Sequence, residues 1–359
     1  MSRIILAFDS YKECITAQEA CEAARRGVLE ALPEAEVVML PMSDGGEGLV
    51  SCLAPYMDLT WREIDAHDAL MRPIKARYAL TADGTTAIME MAATCGLGLI
   101  APEDRDIMRA TTYGVGEMLM DAIRTGAHHI VMGIGGSATC DGGRGMMECM
   151  NAASERLPED LRITVACDVT NPLYGPDGAA YVFAPQKGAT PEQVEALDLQ
   201  LRVMAREAEL QGANPRLAQH PGAGAAGGLG YGLMMGLGAE LASGIDIVLQ
   251  LLDFKRHVIG ADLVITGEGK SDRQTLGGKV PLGILFHTRS ALNARSEAMV
   301  PVHICSGAIE DADALLHEGF ATVRSINAGD ARPLATLLRP EVARENLRAA
   351  VRRLIEETL

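Results

Sequence analysis

The sequence of 359 residues lacks the features that mark several broad classes of protein. Its formal net charge is -16 and it has no sustained run of lysine and arginine, so a nucleic-acid partner is not expected. Its eight cysteines include no C-x-x-C pair and no zinc-like cluster with histidine, which indicates reduced thiols in a cytoplasmic protein. It has no signal-peptide pattern and no apolar run long enough to cross a bilayer, so no membrane partner is expected.

Motifs of several enzyme classes are missing as well. The eight histidines form no H-E-x-x-H pattern, so catalytic zinc is not expected. Gly133-x-Gly135 and Gly222-x-Gly224 imitate a dinucleotide fingerprint, but no strand ending in an acid follows the first and no strand precedes the second. An NAD-dependent dehydrogenase is therefore a minor alternative. Neither loop continues into Gly-Lys-Ser/Thr, so a kinase here would not be a P-loop kinase.

The most informative stretch is HHIVMGIGGSATCDGG, residues 128–143. Its apolar part predicts a buried strand, and the loop after it has the composition of a phosphate site, because glycines let the backbone approach an anion and hydroxyls donate to it. The residues with this expected role are Gly133, Gly135, Gly136 and Ser137. Asp141 would repel phosphate unless it works through Mg²⁺ or as a base, so the stretch indicates phosphoryl transfer. A plain glycine-rich turn is the alternative.

Apolar runs along the chain predict two α/β domains. Five short runs, near residues 4, 37, 262, 302 and 323, have the character of parallel strands with helices between them. The segment 61–89 alternates and predicts antiparallel strands. We expect a discontinuous α/β domain of residues 1–70 and 246–359, with a second, mixed α/β domain of residues 71–245 inserted in it. The ligands are expected in the cleft between the domains.

Acidic residues recur where the predicted strands end. They are Asp9, Asp44, Asp141, Asp168, Glu268 and Asp272. A single acid at such a position is usually a helix cap, but carboxylates in excess of the local cations imply a divalent metal, a proton acceptor or both. Mg²⁺-nucleotide chemistry requires both roles.

Five motifs, taken together and in this order, resemble those of the bacterial type 1 glycerate kinase family. They are DSYK at residue 9, SDGGEG at residue 43, GIGGSAT at residue 133, GAGAAGG at residue 222 and ITGEG at residue 265. The resemblance covers essentially the whole chain and implies a two-domain α/β protein with a flavodoxin-like domain. It also implies ATP-dependent phosphorylation of D-glycerate, usually at the 2-hydroxyl. A non-catalytic binding protein for a phosphorylated metabolite is the alternative from another class.

This resemblance gives the candidate residues three expected roles. Backbone N–H groups for the ATP phosphates would come from Gly133, Gly135, Gly136, Ser137, Gly222, Gly224, Gly227 and Gly228. Glycerate would be bound by Ser10, Lys12, Asp44, Gly45, Gly46, Glu268, Lys270 and Lys279. The expected catalytic residues are Asp272, Asp168, Asp141 and Lys12. Asp141 and Asp168 are also the expected Mg²⁺ ligands, and which aspartate is the base stays open. The sequence leaves assembly into a homo-oligomer open.

Overall fold

A computed structural model describes residues 2–11, 14–43, 48–293 and 299–359. The chain divides into two compact units. Met1–Asp44 and Ile245–Leu359 form the parallel-sheet unit, and Gly45–Gly244 form the inserted unit. Within the described ranges, no helix is long and apolar enough to cross a membrane.

The described strands and helices alternate along most of the chain. The strands are β1 (Arg3–Phe8), β2 (Glu36–Met39), β3 (Leu59–His67), β4 (Pro73–Thr81), β5 (Thr86–Glu90), β6 (His129–Gly133), β7 (Arg162–Ala166), β8 (Glu240–Ala242), β9 (Leu263–Gly267), β10 (Lys270–Ser271), β11 (Val302–Ser306), β12 (Ala308–Ile309) and β13 (Thr322–Ser325). The helices are α1 (Ala17–Ala31), α2 (Leu49–Leu53), α3 (Ala92–Cys95), α4 (Tyr113–Arg124), α5 (Arg144–Ala153), α6 (Ala179–Phe183), α7 (Pro191–Leu210), α8 (Ala225–Leu237), α9 (Gly244–Leu251), α10 (Phe254–Val258), α11 (Val280–Asn293), α12 (Ala312–Glu318), α13 (Leu334–Leu337) and α14 (Pro340–Thr358).

The parallel-sheet unit contains a five-stranded sheet in the order β13-β11-β9-β1-β2. Every pair in it is parallel, and the order corresponds to the 2-1-3-4-5 arrangement of flavodoxin-like folds. The expected flavodoxin-like domain built from both chain ends is therefore confirmed. The chain passes from β1 to one neighbour, β2, and later returns on the other side of β1 as β9. This reversal is the topological switch point at which open α/β sheets bind ligands.

Helices α1 and α14 cover this sheet together. Thr16 caps α1, and its hydroxyl and the Glu19 carboxylate form the reciprocal capping box that the sequence predicts. Val28 of α1 and Leu347 and Val351 of α14 belong to one buried apolar cluster with the strands. Both helices therefore pack their apolar faces against the sheet.

The inserted unit contains a six-stranded mixed sheet in the order β3-β4-β5-β6-β7-β8. β3, β4 and β5 are antiparallel, as the alternation predicts, and β5 to β8 are parallel. β3 pairs with β4 along its whole length, from Leu59 opposite Thr81 to His67 opposite Pro73. Residues 45–70 consequently belong to the inserted unit. The sequence-based expectation assigned them to the parallel-sheet unit, with a boundary at residue 70. The structure differs because β3 is hydrogen-bonded to β4 and is therefore part of the sheet of the inserted unit.

Candidate active site

Polar residues follow β1 and β9 at the carboxyl edge of the parallel sheet. Phe8 pairs with Gly267 at the ends of the two strands, and the Asp9 N–H donates to the Gly267 carbonyl over 2.9 Å. Asp9 and Glu268, the first residues beyond the strands, therefore lie at the switch point. The sequence predicts this convergence because the carboxyl ends of parallel strands share one edge.

A cavity of about 310 Å³ lies at this switch point. Its polar lining comprises Asp9, Ser10, Tyr11, Glu268, Lys270, Lys279 and Asn327. Its apolar lining comprises Cys14, Ile326, Leu334, Leu337, Leu338 and Ala343. Charged groups of both signs beside an apolar wall are typical of a small-molecule site. The structure brings four expected substrate residues together here, namely Ser10, Glu268, Lys270 and Lys279.

Glu268 is held by a ring of hydroxyl groups. Its Oε1 accepts from Ser271 Oγ over 3.1 Å and from Thr275 Oγ1 over 2.7 Å. Its backbone N–H donates to Ser306 Oγ over 3.1 Å, and Ser306 Oγ lies 2.8 Å from Ser271 Oγ. If the Ser306 hydroxyl donates to Ser271 Oγ, then each hydroxyl of the ring has an acceptor for its proton. The carboxylate is therefore fixed in orientation.

The second oxygen of Glu268 has a different environment. Oε2 lies 3.8 Å from Lys279 Nζ, which is an ion-pair distance but longer than a hydrogen bond. The Glu268 side chain is 8% exposed and that of Lys279 is 40% exposed, so the pair joins a buried acid to a half-exposed cation. Burial raises the pKa of Glu268 above its usual range, although Thr275, Lys279 and Ser271 act in the opposite direction. A cavity-lining acid with a raised pKa is a functional-site candidate.

Asp272 stabilises a turn just beyond β10. Its Oδ1 accepts the Gln274 N–H over 2.8 Å, and its own N–H donates to Thr275 Oγ1 over 3.0 Å. Its Oδ2 lies 3.4 Å from Lys270 Nζ, which also pairs with Glu310 at 2.9 Å. The Gln274 N–H and Lys270 lower the pKa of Asp272, so this carboxylate stays ionised, as its sequence context indicates. These contacts are those of a turn cap.

The glycine-rich loop after β6 is the second candidate region, and it lies in the inserted unit. Gly133 is the last residue of β6, and Gly135 follows two residues later. Gly136 has a φ of 71°, which favours glycine, and its carbonyl accepts the Leu97 N–H over 2.8 Å. Ala138 N–H donates to the Cys95 carbonyl over 2.8 Å. Backbone bonds on both sides of Ser137 thus fix this loop.

Lys187 lies against this loop and was not among the expected site residues. It is 3% exposed, and its Nζ donates to Ser137 Oγ over 2.5 Å and to the Thr139 carbonyl over 2.7 Å. Burial lowers the pKa of Lys187 to about 8. Its neighbours Pro185, Gln186 and Gly188 suit an exposed turn, so the local sequence carries no signal that this lysine is buried.

Asp141 ties this loop to the N-terminus of α4. Its carboxylate accepts four hydrogen bonds, from Thr112 N–H at 2.8 Å, Thr112 Oγ1 at 2.8 Å, Gly143 N–H at 3.1 Å and Gly145 N–H at 3.1 Å. Three of these donors bond Oδ2 and one bonds Oδ1, so most of the lone pairs that a metal would need are occupied. The arrangement is that of a structural anchor.

The glycines of residues 222–228 make close backbone packing possible. A Cβ on Gly227 would lie 2.0 Å from the Thr139 carbonyl oxygen, and one on Gly224 would lie 2.2 Å from the Pro172 carbonyl oxygen. Gly222 and Gly228 both have φ of 89°. Gly142 N–H donates to the Gly227 carbonyl over 3.0 Å, so the two glycine-rich segments are in direct contact. Their glycines are needed for this packing whatever they bind.

Asp168 lies one residue beyond Cys167, which follows β7, and is exposed. Its Oδ1 accepts the Gly244 N–H over 3.0 Å at the start of α9.

Four further expected site residues, Lys12, Asp44, Gly45 and Gly46, lie outside the described residues.

No group of three or more His, Cys, Asp and Glu side chains within the described ranges is arranged to hold a metal ion. Mg²⁺ in phosphoryl-transfer sites usually takes only one or two protein carboxylates, with water and substrate phosphates as its other ligands. The exposed Asp168 fits that requirement better than Asp141.

Comparisons with known proteins agree with the fold. The sequence model of the "Glycerate kinase family" matches residues 4–156 and 149–358. The glycerate kinase of Bacillus subtilis (strain 168) is 39% identical over 91% of this chain and 91% of its own. The glycerate 2-kinase of Escherichia coli (strain K12) is 38% identical over 90% of each chain. A crystal structure of a Salmonella typhimurium LT2 protein, assigned as glycerate kinase 2, is 34% identical and superimposes with a TM-score of 0.82 over 99% of this chain and 98% of that one. This chain therefore belongs to the glycerate kinase family of enzymes.

Proposed function

We propose that this protein transfers the γ-phosphoryl group of ATP to the 2-hydroxyl of D-glycerate, giving 2-phosphoglycerate and ADP. Family membership supports ATP and glycerate as the substrates, and the E. coli relative named glycerate 2-kinase supports the position of transfer. The observation that carries the proposal is the cavity at the switch point of the parallel sheet, where buried Glu268 faces Lys279.

Glycerate binds in this cavity. Lys279 directly precedes α11, so its ammonium and the positive end of a 14-residue helix both favour the substrate carboxylate. Ser10 adds a hydroxyl that can hydrogen-bond the substrate. Lys270 contributes less charge because Glu310 and Asp272 already pair with it. Lys12, Asp44, Gly45 and Gly46 keep their proposed substrate roles on sequence grounds.

ATP phosphates bind at the glycine-rich loop of residues 133–137. The Lys187 ammonium forms no ion pair with any carboxylate of the described residues, although the Asp141 carboxylate acts on it electrostatically from a longer distance. A buried cation with hydroxyl and carbonyl partners raises the electrostatic potential at the loop and favours a triphosphate. In the second glycine segment, Gly227 and Gly228 support the loop by close packing against Thr139 and Gly142, and Gly222 and Gly224 pack against residues that follow β7.

Mg²⁺ accompanies ATP, and Asp168 is the residue best suited to hold it. The ion supplies neutralisation of the charge on the phosphates. Asp141 keeps the loop and the start of α4 in place through its four hydrogen bonds.

The test is an assay of the purified protein with ATP, Mg²⁺ and D-glycerate, with ADP measured as the product. Phosphorus NMR of the second product separates the two positions, because phosphate on a CH group gives a doublet and phosphate on a CH₂ group gives a triplet. L-glycerate is the matched control for stereochemistry. A doublet and D-specific ADP release are expected. A triplet contradicts the 2-position, and no ADP release in any mixture contradicts the kinase assignment in favour of a binding protein.

A further inference from the structure

We infer that Glu268, and not one of the three aspartates expected from the sequence, accepts the proton of the glycerate hydroxyl during phosphoryl transfer. The inference rests on the proposed function. It assigns the base from the environment of each carboxylate in the structure.

The three aspartates have structural partners. Asp141 accepts three backbone N–H groups and one hydroxyl, Asp168 accepts the Gly244 N–H, and Asp272 accepts the Gln274 N–H. The Gln274 N–H and Lys270 lower the pKa of Asp272, which makes it a weak proton acceptor. The contacts of Asp141 and Asp168 are structural, because they tie the loop after β6 to α4 and hold the start of α9.

Glu268 has the opposite character. No backbone N–H of the described residues donates to its carboxylate, and hydroxyls fix only Oε1. Glu268 lines the cavity, and its Oε2 lies 3.8 Å from Lys279 Nζ. Burial raises its affinity for a proton while Lys279 keeps the ionised form populated, which together suit a general base near neutral pH.

The step balances without any further reagent. The glycerate hydroxyl oxygen forms a bond to the γ-phosphorus as the bond from that phosphorus to the β,γ-bridging oxygen breaks and its electron pair leaves on ADP. The hydroxyl proton passes to Glu268 Oε2, and the neutral carboxyl later returns it to water. Lys279, which lies beside both Glu268 and the bound carboxylate, stabilises the ionised base before transfer.

The first test is Glu268→Gln, which keeps the size of the side chain and its acceptor for Ser271 and Thr275. We expect kcat to fall about 10²-fold or more, with KM for both substrates changed by no more than about threefold and the melting temperature nearly unchanged. Glu19→Gln is the matched control, because it removes the same charge from a capping box in the same unit. It should leave kcat within about twofold of the parent.

The parent enzyme provides a second, independent readout. Its kcat/KM should fall with decreasing pH through a group whose pKa lies above the ordinary glutamate value of 4.5. The charged and titratable groups of the described residues that face Glu268 or share its cavity are Lys279, Asp272, Tyr11, Asp9, Lys270 and Cys14. This fall at acidic pH should be absent from the residual activity of Glu268→Gln, because the group that titrates has been removed. If Glu268 were only structural, the variant would keep the pH profile of the parent.

The outcomes are separable. If the parent phosphorylates D-glycerate and a folded Glu268→Gln keeps more than about one fifth of its kcat, the assignment of the base is wrong and the kinase function stands. If the variant does not fold, a parent profile with no acidic limb above pH 4.5 overturns the assignment. If the parent itself releases no ADP, the proposed function fails first.

Discussion

Lys187 shows how one buried side chain can determine the properties of a loop. An ammonium group removed from water is destabilising unless hydrogen bonds replace its hydration, and here Ser137 Oγ and the Thr139 carbonyl replace only part of it. No carboxylate of the described residues forms an ion pair with it, although the Asp141 carboxylate acts on it electrostatically. A cation in contact with the glycine-rich loop favours an anionic ligand there, and the local sequence motif does not include this lysine.

The Lys187 charge predicts a pH dependence of stability. The pKa of Lys187 is about 8 in the folded protein, below its ordinary value of 10.5. Below pH 8 the lysine is therefore protonated in both the folded and the unfolded state, and the buried charge destabilises the folded state by its full amount. Between these values the unfolded state binds more protons, and stability therefore rises with pH. The gain should reach on the order of 3 kcal/mol by pH 10.5.

Thermal melting between pH 7.5 and pH 10.5 measures this gain. The difference in melting temperature between the parent and Lys187→Met should shift in favour of the parent as pH rises. Lys255→Met, at an exposed lysine of α10, is the control and should show no such shift. Parallel curves for the parent and Lys187→Met would mean that Lys187 is not a buried charged group.

At the scale of elements, glycine in the two loops has two separate uses. Some glycines permit a φ that other residues avoid, as at Gly136, and others permit two backbones to touch, as at Gly224. Gly227 combines both, with a φ of 68° and a Cβ position 2.0 Å from the Thr139 oxygen. Much of the glycine richness at residues 222–228 is therefore explained by close packing, against the loop after β6 for Gly227 and Gly228 and against Pro172 for Gly224.

Gly227→Ala should consequently destabilise the inserted unit. Strain at a positive φ costs on the order of 1–3 kcal/mol, and displacement of the Thr139 backbone adds to it. We expect the melting temperature to fall by several degrees and ATP affinity to fall with it. Gly98→Ala in the same unit is the control, since its φ is ordinary and its Cβ would meet no atom within 4 Å. Equal melting temperatures for the two variants would contradict the packing argument.

At the scale of the whole molecule, an acidic chain must bind an acidic nucleotide. The formal net charge of -16 opposes binding of a triphosphate unless cations are concentrated locally. Lys187, Lys270 and Lys279 are the cations that the structure places at the two proposed sites. We expect activity to require a divalent cation. Excess chelator should abolish ADP release, and Mg²⁺ added beyond the chelator should restore it. Sodium chloride at equal ionic strength is the control and should restore nothing. Full turnover in excess chelator would refute the requirement.

The sequence by itself determined the elements and their order. Apolar runs located the parallel strands, the Thr16 and Glu19 pair located the start of α1, and five motifs indicated the family. These features depend on residues close together in the chain, so local chemistry reveals them. The expected boundary at residue 70 failed because it depends on which strand β3 pairs with, and pairing is a long-range property.

Only the tertiary structure determined the burial and the hydrogen-bond partners of each acidic residue and each lysine at the candidate sites. Glu268 and Ser306 are 38 residues apart, and Lys187 and Ser137 are 50 residues apart, yet each pair forms a hydrogen bond. A carboxylate at the end of a strand can be a cap, an ion-pair partner or a proton acceptor, and the sequence around Asp141, Asp272 and Glu268 fits all three. The burial that raises the pKa of Glu268, and the hydrogen-bond donors that reach Asp141 from distant segments, are supplied by the fold alone.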